Sequence, residues 1–500
     1  MTAALKLGIA LRHHQSGALD EAERLYREIL AEDSGHGEAL HLLGVVAYQT
    51  GRNQEALACL SGALEKDADN PVYHCRMGIA LVAAGQDDRA IGHYRHALEL
   101  NPRYAEAHNN LAIVAANRGQ LDDAVAGYRR ALDADPDFAE AHNNLGVSLK
   151  EMGDIDGAIE AHGRAVAVRP DYAEAQKNLG MALLLQGRFE AGFAAFDWRF
   201  REPGAWTRQF PQPVWDGTSL AGTKILVWGE QGTGDQVMFA SVLDAVVAAA
   251  AACVVECDPR LVPVLARSFP SAQVVARSDP PDEATLTPDI DCQCAIGALC
   301  RWLRRDRDSF EPRRAYLAAD ADHAAAIRGR YDALGPGPLV GIAWRSRLHD
   351  RSPQMQRFAD GKSTSLDQWE PIFGVPGMRF VNLQYGDCTA DLAAVEARLG
   401  VRVHHDPEID QLASLDDLTA QIAALDRVIA TSNTAVHIAG ALGKPIWVMV
   451  PKIPDWRWQA TGAASLWYRD ARLFRQPTPG DWTSVLAEVG ATLAAENRRP

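Results

Sequence analysis

Two stretches of this 500-residue chain, far apart in sequence, gather residue types that can hold a phosphate. The first, ILVWGEQGTGDQVMF, reads as a strand ending near Trp228, then a loop through Gly229, Glu230, Gly232 and Gly234, then a helix beginning near Asp235. Glycines let the backbone turn sharply and leave room for a ligand beside a helix N-terminus. The spacing is not G-x-G-x-x-G, no ribose-binding acid follows the next strand, and the Walker lysine is missing, which disfavours a nicotinamide cofactor. A tight strand-to-helix turn with Asp235 capping its helix accounts for the same residues. The second stretch, VIATSNTAVHIAGALGKP, ends a strand at Ser432, Asn433 and Thr434 and opens a helix containing His437 and Gly440. Hydroxyl and amide side chains, free backbone N–H groups and the positive end of the helix dipole suit a diphosphate or nucleotide. Capping alone explains Ser432 and Thr434 equally well; the pairing of this turn with the glycine loop tips the balance towards a nucleotide.

The elements that must position these turns alternate. Short β-branched strands (KILVWG, CVVEC, AQVVA, PLVGIAW, RFVNLQ, RVIATS, PIWVMVP) are separated by helical stretches, which implies parallel sheets covered by helices. GPGP at Gly335–Pro338 punctuates the middle, so two Rossmann-like lobes, 223–334 and 338–496, are expected to meet at a cleft. The last helix, around Asp481 to Glu496, has the length to pack back across both. Residues 206–222, rich in Pro and Gly, read as a linker or lid, and the aromatics of FDWRF as a cap on the region N-terminal to them.

That N-terminal region, 1–205, is a repeat. Glycines recur every 34 residues at Gly17, Gly51, Gly85, Gly119, Gly153 and Gly187. Ala22, Ala56, Ala90, Ala124 and Ala158 come five positions later, then Tyr26, Leu60, Tyr94, Tyr128 and His162 four further. This pattern, with prolines closing units at Pro102, Pro136 and Pro170, resembles the tetratricopeptide repeat. Such units stack into an α-helical solenoid with a concave groove. Asn110, Asn144 and Asn178 form an asparagine ladder on the groove-facing helices, where amides can pair with an extended peptide backbone or simply be tolerated on a solvated face. The ladder is similar to that of the O-linked N-acetylglucosamine transferases. His74, His108 and His142 share the period and read as packing residues.

Composition narrows the chemistry. Lys+Arg 50 against Asp+Glu 65 gives a formal charge of −15, which offers no electrostatic reason to bind nucleic acid. The longest apolar stretch, Ala245 to Val255, is too short to span a membrane, and the N-terminus reads as a first helix rather than a leader. Eight cysteines in a long chain without a secretion signal point to free thiols in a reducing compartment, hence the cytoplasm, and Cys253 and Cys257, with no second cysteine or His pair to complete a zinc site, read as core residues of a strand. DxD patterns at Asp289/Asp291 and Asp320/Asp322 fall in a strand and a surface-like helix, so no metal is expected.

GEQGTGDQVMF, GIAWRSR, KSTSLDQWEPIF, RFVNLQYGD, TSNTAVHIAGALGKP and PDWRW together resemble the heptosyltransferase-like GT-B glycosyltransferases, in the subgroup fused to tetratricopeptide repeats. The resemblance covers about Lys224 to Gln476. It implies that the glycine loop (Glu230, Gly232, Gly234) faces the acceptor and that Asp235 is the catalytic base; Glu230 or another acid would take that role if Asp235 did not. It also implies that the second lobe holds a sugar nucleotide, with Lys362 and Ser432, Asn433, Thr434 and His437 near the diphosphate. Arg345 and Arg347 are further candidates there, or solvated; Trp456 and Trp458 could stack on a base or sugar, or pack between lobes. Relatives commonly have Asp-Thr where this chain has Ser432-Asn433. Repeat-fused members also resemble flagellin-modifying transferases that use sugars activated by cytidine monophosphate. The expected function is therefore an inverting, metal-independent transfer of a sugar from a nucleotide donor (CMP-, UDP-, GDP- or ADP-linked), with no other cofactor, to a Ser or Thr of a protein held by the repeats. The alternatives are a non-catalytic scaffold with a degenerate GT-B domain, or transfer to a lipid-linked oligosaccharide.

Overall fold

The computed structural model describes residues 1–310, 315–346 and 359–498. The chain folds as two compact units, Met1–Gln176 and Lys177–Pro500. The repeats form helical hairpins: α1 (Ala3–Gln15) with α2 (Leu19–Glu32), α3 (Gly37–Gln49) with α4 (Asn53–Lys66), α5 (Pro71–Ala83) with α6 (Asp87–Leu100), α7 (Ala105–Asn117) with α8 (Leu121–Ala134), α9 (Ala139–Met152) with α10 (Ile155–Val168), and α11 (Ala173–Gln186) with α12 (Phe189–Phe196). The boundary between the units falls inside α11, so the last hairpin belongs largely with the second unit.

The 34-residue glycines have a backbone reason. Each ends the first helix of its hairpin at a positive φ, between +72° and +91° for Gly17 to Gly153, where a side chain would be strained. The next amide then reaches back five residues, as from Arg52 to the Ala47 carbonyl at 2.8 Å and from Gln86 to Leu81 at 2.8 Å, closing the helix end. Ala22, Ala56, Ala90, Ala124 and Ala158 are all fully buried, as are Tyr26, Leu60 and His162 within a per cent. A second glycine series admits the large residue. A Cβ on Gly44 would lie 2.8 Å from Leu60, on Gly78 2.4 Å from Tyr94, and on Gly146 2.7 Å from His162.

One expectation is corrected here. His74, His108 and His142 do not pack in the core; each Nε2 bonds the carbonyl six residues back, at Ala68 (2.8 Å), Pro102 (3.0 Å) and Pro136 (2.8 Å). Gln176 does the same to Pro170 at 3.1 Å, so the recurring element is a side-chain nitrogen that ties down the turn between hairpins.

The second unit contains two parallel sheets with helices packed around them, an α/β architecture. β1 (Lys224–Trp228), β2 (Ala252–Cys257), β3 (Gln273–Ala276) and β4 (Cys292–Ala295) make a sheet of order β3-β2-β1-β4. β5 (Leu339–Ala343), β6 (Arg379–Asn382), β7 (Val403–His404), β8 (Arg427–Thr431), β9 (Ile446–Val450) and β10 (Ala471–Arg475) make one of order β10-β9-β8-β5-β6-β7. β5 and β9 are buried along their whole length, as strands covered on both faces must be. The helix Trp482–Asn497 does not span both sheets. Val485, Leu486, Val489 and Leu493 join the core of the second sheet, and Gly490 lets the helix come against Pro371.

Residues 206–222 pack on the first sheet. Val214 forms a parallel bridge to Gln293 of β4, while Trp206 and Phe210 surround Trp228 at the end of β1. Arg208 pairs with the fully buried Glu256 of β2.

Both sheets reverse their strand order beside a central strand, between β1 and β4 in the first and between β5 and β8 in the second. Ligands of open α/β sheets bind outside the carboxyl ends of the strands at such points. The residues that leave those ends are Gly229 and Glu230 after β1, Gly297 after β4, Trp344 and Arg345 after β5, and Ser432 to Thr434 after β8.

Candidate functional site

The two turns singled out by residue type meet in space. The helix Thr233–Phe239 comes after β1 and the helix Thr434–Ala441 after β8. Gly234 lies at their crossing, where a Cβ would sit 3.1 Å from the His437 ring and 3.4 Å from the Thr434 hydroxyl. A larger residue would push the two N-terminal turns apart.

Asp235 caps its own helix, its Oδ2 accepting from the Gly232 amide at 3.3 Å. Its Oδ1 accepts from Arg457, which reaches across from the 3-10 turn Trp456–Trp458 after β9. Arg457 also pairs with Asp455 at 3.3 Å, and Asp455 accepts from the Lys362 ammonium at 2.5 Å. Asp235, Arg457, Asp455 and Lys362 thus form a row of alternating charges whose side chains are only 6–21% exposed. Burial pushes the Lys362 ammonium below its usual range, against the pull of Asp455. Burial opposes the Arg457 cation too, but Asp235 and Asp455 outweigh it and hold its pKa above the usual value.

His437 lies beside this row and is neutral. Burial, and then the Arg457 charge, push its imidazole down to about 3. Its Nδ1 is 2.7 Å from the Tyr468 hydroxyl and its ring stacks on Trp458 at 5.4 Å, 17° from parallel. Trp458 in turn donates to the Ser432 hydroxyl at 2.8 Å. Asn433 caps the helix by accepting from Ala435 at 3.1 Å, which leaves its buried Nδ2 donor without a partner among the described residues.

The site gathers Gly232, Gly234, Asp235, Lys362, Ser432, Asn433, Thr434 and His437. Arg457 and Asp455, which join the two lobes through it, are functional candidates that residue types alone do not single out. Their motif, PDWRW, stands out for its tryptophans, and a partner 222 residues away leaves no local signal. Trp456 is buried in an aromatic cluster with Phe193, Phe196, Phe239 and Trp467.

Two candidates are held elsewhere, and a third lies outside the described residues. Glu230 is 3% exposed, with both oxygens engaged by Arg199 and one also by the Gly297 amide. Arg345 pairs with Asp391 at 2.9 Å, and Arg347 lies outside the described residues. The DxD aspartates serve local structure: Asp289 pairs with Lys224, Asp291 accepts from the Lys224 amide, and Asp320 caps the helix Ala321–Asp332. Among the described residues no group of three or more His, Cys, Asp or Glu could hold a metal, and no helix is long and apolar enough to cross a membrane. All eight cysteines are free.

In the first unit, Asn110 and Asn144 are half-buried and tied to their neighbours. Asn144 donates to Asn109 at 3.1 Å, Asn109 to Asn110 at 3.4 Å, and Asn110 to the Cys75 sulfur at 3.6 Å. Asn178 is 7% exposed within the second unit.

The N-terminal region matches descriptions of the tetratricopeptide repeat at residues 13–75 and 143–197, and of the TPR repeat at 78–117 and 116–153. It is a tetratricopeptide-repeat solenoid. Protein FlbA of Caulobacter vibrioides is 33% identical over 325 residues, covering 62% of this chain and 53% of that protein. The chain therefore spans about half the length of this curated relative, and a match of that extent reaches beyond the repeats. Among solved structures, TTC0263, a thermophilic TPR protein in Thermus thermophilus, is 24% identical and covers 37% of this chain and all of that one, with a TM-score of 0.34. YrrB, described as a TPR protein with an unusual peptide-binding site, is 26% identical over 35% of this chain and 90% of its own, with a TM-score of 0.28.

Proposed function

We propose that this protein is a GT-B glycosyltransferase that moves a sugar from a nucleotide donor to a serine or threonine of a protein held by its repeats. The observation that carries the reading is the convergence of Asp235, Arg457, Asp455, Lys362 and His437 where the glycine loop of the first lobe meets the Ser432–His437 turn of the second. Five chemistry-bearing side chains, from segments that the family resemblance assigns to acceptor and donor, come together at one place.

The acceptor hydroxyl attacks the anomeric carbon, forming the new C–O bond as the bond to the leaving phosphate breaks, with inversion. Asp235 takes the hydroxyl proton, and a carboxylate so placed contributes roughly 10²–10⁴-fold. The negative charge that grows on the phosphate is met by Lys362, by Arg457 and by the N-terminus of the helix Thr434–Ala441, without a metal or other cofactor. An anionic donor is what would draw Lys362 and Arg457 away from Asp455 and Asp235 and free the base. The unpartnered Asn433 amide supports a polar ligand at the same turn. Tetratricopeptide repeats commonly bind peptides, and the half-buried Asn110 and Asn144 offer the acceptor backbone their remaining donors and acceptors. By resemblance, flagellin is the candidate acceptor.

Calorimetry of the full chain against ADP-, UDP-, GDP- and CMP-sugars, followed by transfer to a protein acceptor, tests this. Binding of one class, and loss of transfer without loss of binding in Asp235→Asn, is the expected result. The mutual neutralisation of the charge row favours one second reading, a scaffold whose catalytic domain has closed on itself. Capture of a client with no donor bound at millimolar concentration would establish that reading instead.

A further inference from the structure

Glu230 is the carboxylate of the glycine loop to which the transfer reading gives no task. Its Oε2 accepts from Arg199 Nε at 2.9 Å and its Oε1 from Arg199 Nη2 at 2.5 Å, and Oε1 also accepts from the Gly297 amide at 3.1 Å. Arg199 comes from the 3-10 turn Asp197–Arg201 directly after α12. Its guanidinium lies against the Phe196 and Phe200 rings, 4.3 and 4.1 Å from their centroids, and Nη1 donates to the Phe196 carbonyl at 2.9 Å and to Asp197 at 3.0 Å.

A buried ion pair is a weak source of stability, since apolar side chains of similar volume often serve as well. What a two-pronged guanidinium–carboxylate contact supplies is direction. The residue after Glu230 shows what needs directing. Gln231 has φ +58°, a left-handed conformation that non-glycine residues avoid and keep only where their surroundings over-determine it. Gly232 comes next, and its amide donates to Asp235.

We propose that Arg199 and Glu230 are positioning residues for Asp235. Their pair clamps the entry to the loop, Gly297 fixes the same carboxylate from the other side of the sheet's reversal point, and Gln231 is thereby held left-handed so that the next helix presents Asp235 to Arg457. The last repeat hairpin, through Arg199, is on this view part of the reacting machinery. The inference rests on the reading of Asp235 as the base.

The test uses the full chain with Glu230→Gln, Arg199→Lys and Gln231→Gly, singly and combined, and two readouts. Hydrogen exchange of residues 231–236 reports loop geometry without any substrate; turnover and donor affinity report catalysis. Glu230→Gln is expected to speed exchange in 231–236 at least ten-fold and to lower kcat at least ten-fold, while donor Kd stays within two-fold. Arg199→Lys keeps the charge but loses the fork, and should fall between wild type and Glu230→Gln. Glycine adopts φ +58° without strain, so adding Gln231→Gly to Glu230→Gln should return both readouts to within about three-fold of Gln231→Gly alone. A pair that only stabilises the fold would raise exchange through β1 and β4 as much as in the loop, with no rescue by glycine, and that result overturns the proposal. So does unchanged loop exchange in both Glu230→Gln and Arg199→Lys. If loop exchange responds and is rescued while wild type turns over no donor, the positioning of the loop stands and the transferase reading falls.

Discussion

The fifth repeat should be sensitive to acid at one residue. His162 occupies the position that Tyr94 and Tyr128 fill in earlier repeats; it is fully buried against Gly146, and its Nδ1 is 3.0 Å from Asn143 Oδ1. Its Nε2 has no partner among the described residues. Burial, with the Lys150 charge adding, pushes the imidazole down to about 3, whereas an unfolded histidine titrates near 6.5. As the pH falls below 6.5 the unfolded chain therefore takes a proton that the native one refuses. The stability is present in full above 6.5 and is lost progressively until the pH approaches 3. At about 1.4 kcal/mol per pH unit, the loss at pH 5 is roughly 2 kcal/mol, or about thirty-fold in the opening equilibrium. His162→Tyr should abolish this dependence. It also gives up the bond to Asn143, worth about 1 kcal/mol at every pH, so the informative quantity is the difference between pH 8 and pH 5. Hydrogen exchange of peptides within 139–168 in the full chain, corrected for intrinsic rates, measures it directly. Protection in α9 and α10 should fall about thirty-fold more in wild type than in the variant. An equal fall in both would place the acid sensitivity elsewhere, for instance at His41 or His93, both pushed down to about 4 by burial.

Three further outcomes are expected. Asp235→Asn should abolish transfer while donor affinity stays within a few-fold by calorimetry; turnover within a few-fold of wild type would reassign the base. Lys362→Ala and His437→Ala should each weaken donor binding, and unchanged affinity in both would remove the second-lobe assignment. Replacing Asn110, Asn144 and Asn178 together by alanine should impair transfer to intact protein, at roughly 0.5–1.5 kcal/mol per lost amide contact, while hydrolysis of the donor by water continues at the wild-type rate. Normal protein transfer by that variant would place the acceptor outside the groove.

The solenoid is legible in the sequence because each hairpin obeys local rules. A left-handed glycine, a small crossing residue and a large filler recur at fixed spacing, and self-similarity exposes them. The second glycine series, Gly44, Gly78 and Gly146, shares the period but is masked by the stronger one. The strands that residue pattern does not reveal explain themselves. β4 is Cys-Gln-Cys-Ala with no β-branched residue, β7 has two residues, and β10, Ala-Arg-Leu-Phe-Arg, has only two adjacent apolar residues between arginines and no β-branched one. In the site, the glycine loop and the Ser432 turn are visible because strand-to-helix turns rich in Gly, Ser, Asn and Thr have a local signature. Arg457 and Arg199 are not, because their meaning comes from carboxylates 222 and 31 residues away, and charge complementarity at such separations leaves no trace in composition or period.

The unit boundary inside α11 bears on how such chains diversify. Repeats ahead of it interact chiefly with their neighbours, so duplication or loss in steps of 34 residues can change the reach of the array at little energetic penalty. The terminal hairpin has no such freedom. The Phe196 backbone fills the space left by Gly180, Phe193 and Phe196 abut Trp456, and Arg199 is committed to Glu230. Array length is thus open to change by whole repeats, while the hairpin α11–α12 is tied to the second unit. A recombinant that exchanges arrays and splices ahead of Ala173 keeps these contacts of the terminal hairpin intact.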